Sequence, residues 1–213
     1  MEVPYSDELI TQIRNRLEQP LPGWDAQSRM ATEIHRRARV QVPPTAQQAG
    51  VLLLLYPGAD QQLSFPLIQR PQYEGAHSGQ VAFPGGKVEP EDQSIVATAR
   101  RETQEEIGVE VSEGQILGQL TDLYIPVSQF VVSPVVAYTD QPLAYQPDPT
   151  EVAAVLDVSA QSFMRAESHS IQNIQVRNIS LKVPAYTVQN KVIWGATAMM
   201  LSEFFAVLET VSG

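Results

Sequence analysis

Arg101 is followed by Glu102, Glu105 and Glu106, and the stretch before it opens on Gly85-Gly86-Lys87-Val88-Glu89-Pro90-Glu91-Asp92. On a helix, at about 100° per residue, the three glutamates fall within a sector of roughly 100°. Carboxylates this close repel one another unless a cation sits among them. Hard divalent ions such as Mg²⁺ or Mn²⁺ suit such oxygen ligands, commonly one or two carboxylates completed by substrate phosphate. Arg101 can pair with one carboxylate and fix its rotamer. The Gly-Gly turn lets backbone amides and carbonyls approach a metal or a phosphate closely. A solvated acidic helix face is the competing reading for an arbitrary E-x-x-E-E run. Here the helix follows a glycine-rich loop and an apolar strand, with the arginine directly before the first glutamate, and that context favours a metal site.

Other chemistries find less support. The chain of 213 residues contains no cysteine, which excludes disulfides, thiolate zinc sites and cysteine nucleophiles. Gly75-Ala76-His77-Ser78-Gly79 has serine in the fourth position, so it is not a nucleophile elbow. Gly86-Lys87-Val88 lacks the hydroxyl residue and upstream glycine of a phosphate-binding P-loop, and no dinucleotide fingerprint follows a strand. The formal charge of −10, from 24 acidic and 14 basic side chains, argues against nucleic-acid or anionic-membrane binding. An anionic substrate would need a divalent metal to screen that repulsion. No apolar run approaches the roughly 18 residues of a membrane span, and the N-terminus lacks a signal-peptide pattern. These features predict a soluble, cytoplasmic protein.

The elements that must position the glutamates follow from apolar periodicity and from breakers. The helix carrying them is predicted from Ser94 to Ile107, with Asp92 or Ser94 as cap and Gly108 as stop. Val51–Tyr56, the Pro57-Gly58 turn and Leu63–Arg70 read as a β-hairpin in which Pro66 suits an edge or a bulge. Val81–Phe83 leads as a short strand into the glycines. Further strands are predicted at Ile116–Leu123, Phe130–Tyr138, Val152–Val158, Ile174–Leu181 and Ala185–Val188, with a short helix at Ser159–Met164. Two amphipathic helices bound the chain, residues 6–18 capped by Ser6, and Ala196 to Leu208, where Leu201, Phe204, Phe205 and Leu208 mark the core face. After the Pro43-Pro44 break the body of the protein is expected from near Gly50. Residues 1–49 then form a helical extension packed on a domain of residues 50–213. Strands alternating with a few helices predict an α/β or α+β sandwich around one mixed sheet.

The segment from Gly86 to Val109 resembles a Nudix box, G-x5-E-x7-R-E-U-x-E-E-x-G-U with U aliphatic. Gly86, Arg101, Glu102, Glu105, Glu106, Gly108 and Val109 match in order. Asp92 stands in place of the early glutamate, eight residues rather than seven separate it from Arg101, and Thr103 replaces an aliphatic residue. The longer spacing is similar to that of the coenzyme A pyrophosphatase branch. So are Leu67-Ile68-Gln69-Arg70, His77-Ser78-Gly79-Gln80-Val81-Ala82-Phe83-Pro84-Gly85-Gly86, Leu123-Tyr124-Ile125-Pro126-Val127-Ser128 and Ile193-Trp194-Gly195-Ala196-Thr197-Ala198. Where many members of that branch carry a leucine-cation pair before the histidine, this chain has Glu74-Gly75.

The resemblance implies a Nudix α/β/α sandwich with a mixed β-sheet, and a hydrolase that cleaves coenzyme A or its thioesters to phosphopantetheine and adenosine 3′,5′-bisphosphate. It implies Mg²⁺ or Mn²⁺ held by Glu102, Glu105, Glu106 and the Gly85 carbonyl, with Arg101 orienting the carboxylates. Glu102 and Asp92 are the candidates to take a proton from water, and Arg70, His77, Gln80 and Gly86 are the candidate substrate contacts. Either Glu151 or Asp148 could supply a further carboxylate, or either could be a turn residue. The basic run His35, Arg36, Arg37 and Arg39 reads first as a solvated face and second as a phosphate contact. ADP-ribose or a dinucleoside polyphosphate is the alternative substrate, an inactive binding module the alternative class, and a homodimer the family-level expectation.

Overall fold

In the computed structural model, residues 3–38, 41–58, 61–72, 78–176 and 179–211 are described. In chain order the helices are α1 (Asp7–Leu17), α2 (Trp24–Gln27), α3 (Glu33–Ala38), α4 (Ile95–Ile107), α5 (Ala160–Met164) and α6 (Gly195–Val211). The strands are β1 (Gln47–Pro57), β2 (Leu63–Gln69), β3 (Val81–Ala82), β4 (Gly85–Lys87), β5 (Ile116–Gln119), β6 (Leu123–Ile125), β7 (Phe130–Tyr138), β8 (Ala154–Ser159), β9 (His169–Val176), β10 (Ile179–Val188) and β11 (Lys191–Trp194).

The run Leu52-Leu53-Leu54-Leu55 in β1 contains no polar residue because both faces of the strand are covered. Successive side chains point to opposite faces. Leu53 and Leu55 join one core with Ile13, Phe65, Val136 and Phe204, whereas Leu52 and Leu54 join another with Ala99, Ile107 and Val135. Helix α4 therefore covers one face of the sheet, and α1 with α6 covers the other. Gly50 permits the close seat of α4, since a Cβ there would stand 2.7 Å from the Ile95 carbonyl oxygen.

One edge of β1 pairs in parallel with β7, from Gln47↔Phe130 to Leu55↔Tyr138. The other edge changes partner along its length. β4 pairs antiparallel at Ala49–Val51, and β2 pairs antiparallel at Tyr56–Pro57. β2 in turn carries β8 and β3, while β5 and β6 line the far edge of β7. The expected mixed sheet between helices is thus present. A second sheet, in the order β11-β10-β9, stands beside it. Pro66 sits opposite Asp157 of β8, and on its other side it falls between the pairings of Ser64 with Tyr56 and Ile68 with Ala82. A residue without an N–H fits such a gap between partners.

Three expectations need correction. Ile116–Leu123 is the whole of β5 and the first residue of β6, interrupted at residues 120–122, where Thr121 bonds to Glu203 and Asp122 to Ser133. Within β5 the ladder also shifts between Ile116 and Gly118. Ile174–Leu181 is the end of β9 and the start of β10, an antiparallel pair joined through residues 177 and 178, which lie outside the described ones. Helix α6 is not amphipathic, since every residue from Thr197 to Leu208 is buried. It is enclosed by α1, α2, β10 and β11, so its expected core residues Leu201, Phe204, Phe205 and Leu208 are four among many. Helices α2 and α3 and strand β11 had no counterpart in the sequence pattern.

The N-terminal segment shares the main core. Val3, Leu9, Ile10, Ile13 and Leu17 belong to the same cluster as Leu53 and Phe204. The Val3 carbonyl accepts from the Leu63 amide at 3.1 Å, and Arg14 donates to the Ile116 carbonyl at 2.9 Å. Because Ile13 is fully buried, Ile13→Ala should lower the unfolding free energy by about 2–5 kcal/mol, as for any large core truncation. Denaturant unfolding with Leu53→Ala as reference checks this. A loss below about 1 kcal/mol, within the range of surface substitutions, would show that α1 is peripheral to the core.

Candidate active site

Ser94 accepts the Ala97 amide at 3.1 Å to start α4, and Gly108, at φ 71°, ends it in the left-handed conformation. Thr98, Ala99, Thr103, Glu106 and Ile107 point into the protein. Thr103 occupies a buried position because its hydroxyl donates back to the Ala99 carbonyl at 2.7 Å. Glu106 shares this inward face, and its carboxylate is 1% exposed as a residue.

Glu106 Oε2 accepts the Gly85 amide at 2.8 Å, whereas Oε1 is buried with no hydrogen-bond partner among the described residues. Burial dominates its titration and pushes the carboxyl up to about 7, with Gly85 and Arg70 pulling down and Glu102 and Glu151 pushing further up. Gly85 has φ 152°, and a Cβ would strike Gly50 and Val51 of β1 at 2.4–2.5 Å. Glycine alone lets β4 lie this close while turning its amide toward the helix. Gly86 matters for a separate reason: a Cβ there would stand 2.5 Å from the Glu102 carboxylate, which would have to move aside. Glu102 and Glu106 are therefore both seated on the Gly85-Gly86 backbone. Burial also raises Glu102, against the pull of Arg101.

Arg101 makes five hydrogen bonds, two to Asp92 at 2.9 and 3.0 Å, one each to Glu102 and Glu105 at 2.9 Å, and one to the Lys87 carbonyl at 3.1 Å. Asp92 takes further bonds from the Thr98 hydroxyl and the Glu89 amide, both at 2.9 Å. The Arg101 guanidinium, with these donors, holds Asp92 well below the usual carboxylate range. A carboxylate so occupied is a weak base, so the geometry gives Asp92 a positioning role rather than that of proton acceptor. Glu105 is turned outward, with its side chain 56% exposed, and its pair with Arg101 adds little stability.

A cleft of about 330 Å³ runs alongside, where the partner of β1 changes from β4 to β2. Arg70, Gln80, Gly85, Gly86 and Lys87 line its polar side, and Phe83, Ile125, Phe130 and Met200 its apolar side. Four expected residues, Arg70, Gln80, Gly85 and Gly86, are thus together. His77 and the Glu74-Gly75 pair lie outside the described residues, as does Arg39. His35 packs edge-on against Trp24 at 5.4 Å and does not line the cleft. Asp148 is spent on its own turn, accepting from the Thr150 amide and hydroxyl at 2.7 Å, whereas Glu151 is exposed and its charge acts on both Glu102 and Glu106. Lys87 was passed over as a contact although it follows Gly86 directly. The apolar wall, drawn from four distant segments, leaves no local signal.

Among the described residues no three acidic or histidine side chains converge as a finished metal cage. The fit to a cation rests on Glu106. A buried carboxylate oxygen without a partner costs free energy unless a proton or a cation meets it. The Glu102 carboxylate, beside the adjoining Gly86, is placed where it would offer a second hard oxygen to such a cation.

Residues 46–175 match the family model described as NUDIX domain. A protein of Photorhabdus laumondii subsp. laumondii, described as uncharacterized Nudix hydrolase NudL, is 35% identical over 128 residues, 60% of this chain and 68% of that protein. A protein of the same description from Yersinia pestis is 28% identical over 197 residues, 91% of this chain and 92% of that one. Among solved structures, a MutT/nudix family protein from Enterococcus faecalis aligns with a TM-score of 0.54 at 16% identity, covering 96% of this chain and 76% of its own. The Nudix hydrolase RenU from M. smegmatis aligns with a TM-score of 0.51 at 18% identity, covering 78% and 87%. At such identities the structures establish likeness of fold alone.

Replacing Asp92 separates its positioning role from a bulk structural one. Its pKa is depressed in the folded protein, so its stabilisation is present above the unfolded-state value of about 3.9 and fades as pH falls below it. Asp92→Asn should cost about 1–3 kcal/mol at pH 7. The gap from the unsubstituted protein should shrink as unfolding is measured at progressively lower pH below about 4. A gap independent of pH down to 3 would remove the ion-pair account.

Proposed function

Since the chain belongs to the Nudix family, whose hydrolases act on phosphoric anhydrides, we propose that it cleaves the diphosphate linkage of coenzyme A or its thioesters. The products would be a phosphopantetheine and adenosine 3′,5′-bisphosphate. The observation that carries the catalytic reading is Glu106, one oxygen fixed by the Gly85 amide and the other buried and unpaired beside a cleft lined by Arg70 and Lys87. With Arg101, Glu102, Glu105 and Glu106 all retained, hydrolysis is favoured over an inactive binding module.

Glu102 and Glu106 would hold Mg²⁺ or Mn²⁺, with Glu105 and the Gly85 carbonyl as further oxygen ligands. Bound there, the cation neutralises the diphosphate, stabilises charge on the leaving phosphate and lowers the pKa of the attacking water. Arg101 orients Glu102 and Glu105 and is itself fixed by Asp92. Glu102, raised from its ordinary value by burial, is better suited than Asp92 to accept the proton of the attacking water. Arg70 and Lys87 supply the cationic contacts for diphosphate oxygens in a chain of net charge −10.

The apolar wall of Phe83, Ile125, Phe130 and Met200 suits a pantetheine arm or a base better than a second sugar. The segments resembling the coenzyme A branch reach from Leu67 to Ala198 and frame this cleft. Glu74-Gly75, in place of a leucine-cation pair, favours the second reading, another nucleoside diphosphate derivative such as ADP-ribose or a dinucleoside polyphosphate. No helix among the described residues is long and apolar enough to cross a membrane.

Product analysis by liquid chromatography tests the reading, with coenzyme A, ADP-ribose and diadenosine polyphosphates incubated with Mg²⁺ or Mn²⁺. The expected result is metal-dependent release of adenosine 3′,5′-bisphosphate from coenzyme A. Glu106→Gln should lower that rate roughly 100-fold or more, the scale of losing several kcal/mol of charge stabilisation. Turnover of ADP-ribose alone would discard the coenzyme A assignment and keep the hydrolase. An intact panel under both metals would sink the proposal.

A further inference from the structure

Helix α6 carries two carboxylates, Glu209 exposed near its end and Glu203 buried among mostly apolar neighbours. Glu203 is fully buried, and no cation is within bonding distance of it among the described residues. Its carboxylate is instead met entirely by uncharged donors from two other parts of the chain. Glu203 Oε1 accepts the Thr121 hydroxyl at 2.6 Å and the Gly23 amide at 3.0 Å, and Oε2 accepts Gln27 Nε2 at 2.8 Å. The Thr121 amide lies 3.3 Å from both oxygens. Gln27, itself 2% exposed, also donates to the Thr121 carbonyl at 2.9 Å. One residue earlier in α6, Ser202 donates to the Ala26 carbonyl at 2.7 Å.

Thr121 leads directly into the wall of the cleft. Asp122 accepts the Ser133 hydroxyl of β7 at 2.6 Å, and Leu123–Ile125 then pairs with Phe130–Val132. Ile125 and Ser128 from this stretch, with Phe130 and Val132, line the cleft, and Met200 lines it from α6 one turn before Glu203. The join is also conformationally committed. Gly23 has φ 55° and ψ −138°, and a Cβ there would rest 3.5 Å from the Thr121 hydroxyl. An apolar side chain at 203 would deprive the Gly23 amide, the Thr121 hydroxyl and Gln27 Nε2 of this acceptor. A charge is accommodated here at a desolvation cost, and its return is a directional tie between three segments.

We propose that Glu203 is a positioning residue, fastening the substrate-facing stretch 119–128 to helix α6 and to the N-terminal segment through Thr121, Gly23 and Gln27. The role concerns binding rather than bond breaking, because none of these groups touches Glu102, Glu106 or Arg101. It gives the segment before β1 a function in the site, namely to hold one wall of the cleft at a fixed distance from Gly85 and Gly86. The kinetic half of this inference rests on the hydrolase reading above, and the structural half does not.

Thr121→Val removes the hydroxyl donor with little change of shape, and Thr121→Ser restores it. Hydrogen exchange of the free protein, read by mass spectrometry, is paired with steady-state kinetics on whichever of coenzyme A, ADP-ribose or diadenosine polyphosphate turns over. Thr121→Val should speed exchange in residues 119–125 and 23–30 and leave α4 unchanged. KM should rise roughly five- to tenfold with kcat within about twofold, the pattern of lost binding that is uniform between ground and transition state. Thr121→Ser should behave as the unsubstituted protein in both measurements. Exchange accelerated everywhere, α4 included, would reduce Glu203 to a general stability contact and overturn the proposal. So would an unchanged KM, or a fall in kcat at constant KM. If the local exchange pattern holds while no anhydride is hydrolysed, the clamp stands and the catalytic reading above fails.

Discussion

The site depends on one forced proximity, the Glu106 carboxylate against the Gly85 amide. A carboxylate buried under a sheet must find donors or a cation, and here one oxygen takes a backbone N–H while the other is left open. Much else follows from keeping that contact. Gly85 must be glycine to lie on β1, Gly50 must be glycine to admit α4, and Gly86 leaves the Glu102 carboxylate in place. These three positions without side chains let β1, β4 and α4 approach closely enough for the glutamates to rest against backbone. The surrounding chain supplies compensation: Arg101 collects the outer carboxylates, and Arg70 tempers the inner one.

Arg101 and Asp92 show how a family pattern can be kept in chemistry while it shifts in spacing. With eight residues between them instead of seven, the acid still reaches the guanidinium with both oxygens, because Thr98 and the Glu89 amide hold it in place. The same economy appears at Thr103, where a hydroxyl folded back on its own helix replaces an aliphatic side chain in a dry position. Neither substitution disturbs the direction in which α4 presents its glutamates.

Legibility in the sequence followed locality. Ser94 and Gly108 marked the helix ends because capping is decided within a few residues, and the spacing of Arg101, Glu102, Glu105 and Glu106 placed them on one helix for the same reason. Phe130–Tyr138 was readable as a strand from its composition alone. What escaped was long-range. No local pattern separates β9 from β10 within Ile174–Leu181, and none marks Glu203 as anything but an acid interrupting an apolar run. Its meaning depends on Gly23, Gln27 and Thr121, which the fold alone brings to it. Asp92 and Glu105 were visible as carboxylates, but their orientation, one saturated and one facing solvent, required the coordinates.

The change of partner along β1 bears on how the molecule comes to exist. Gln47 meets Phe130 in parallel, and everything from β2 to β6 must be threaded between them before that ladder closes. Parallel pairings across such a span carry a large loop entropy and form late. The Gly85-Gly86 turn sits on the opposite edge of the same first residues of β1. The seat of the glutamates thus shares its strand with one of the long-range pairings of the sheet, and not only with the local hairpin at Tyr56 and Ser64. Chains in which β4 has not yet paired with β1 would hold helix α4 with its five charged side chains and no Gly85 amide against which to seat Glu106.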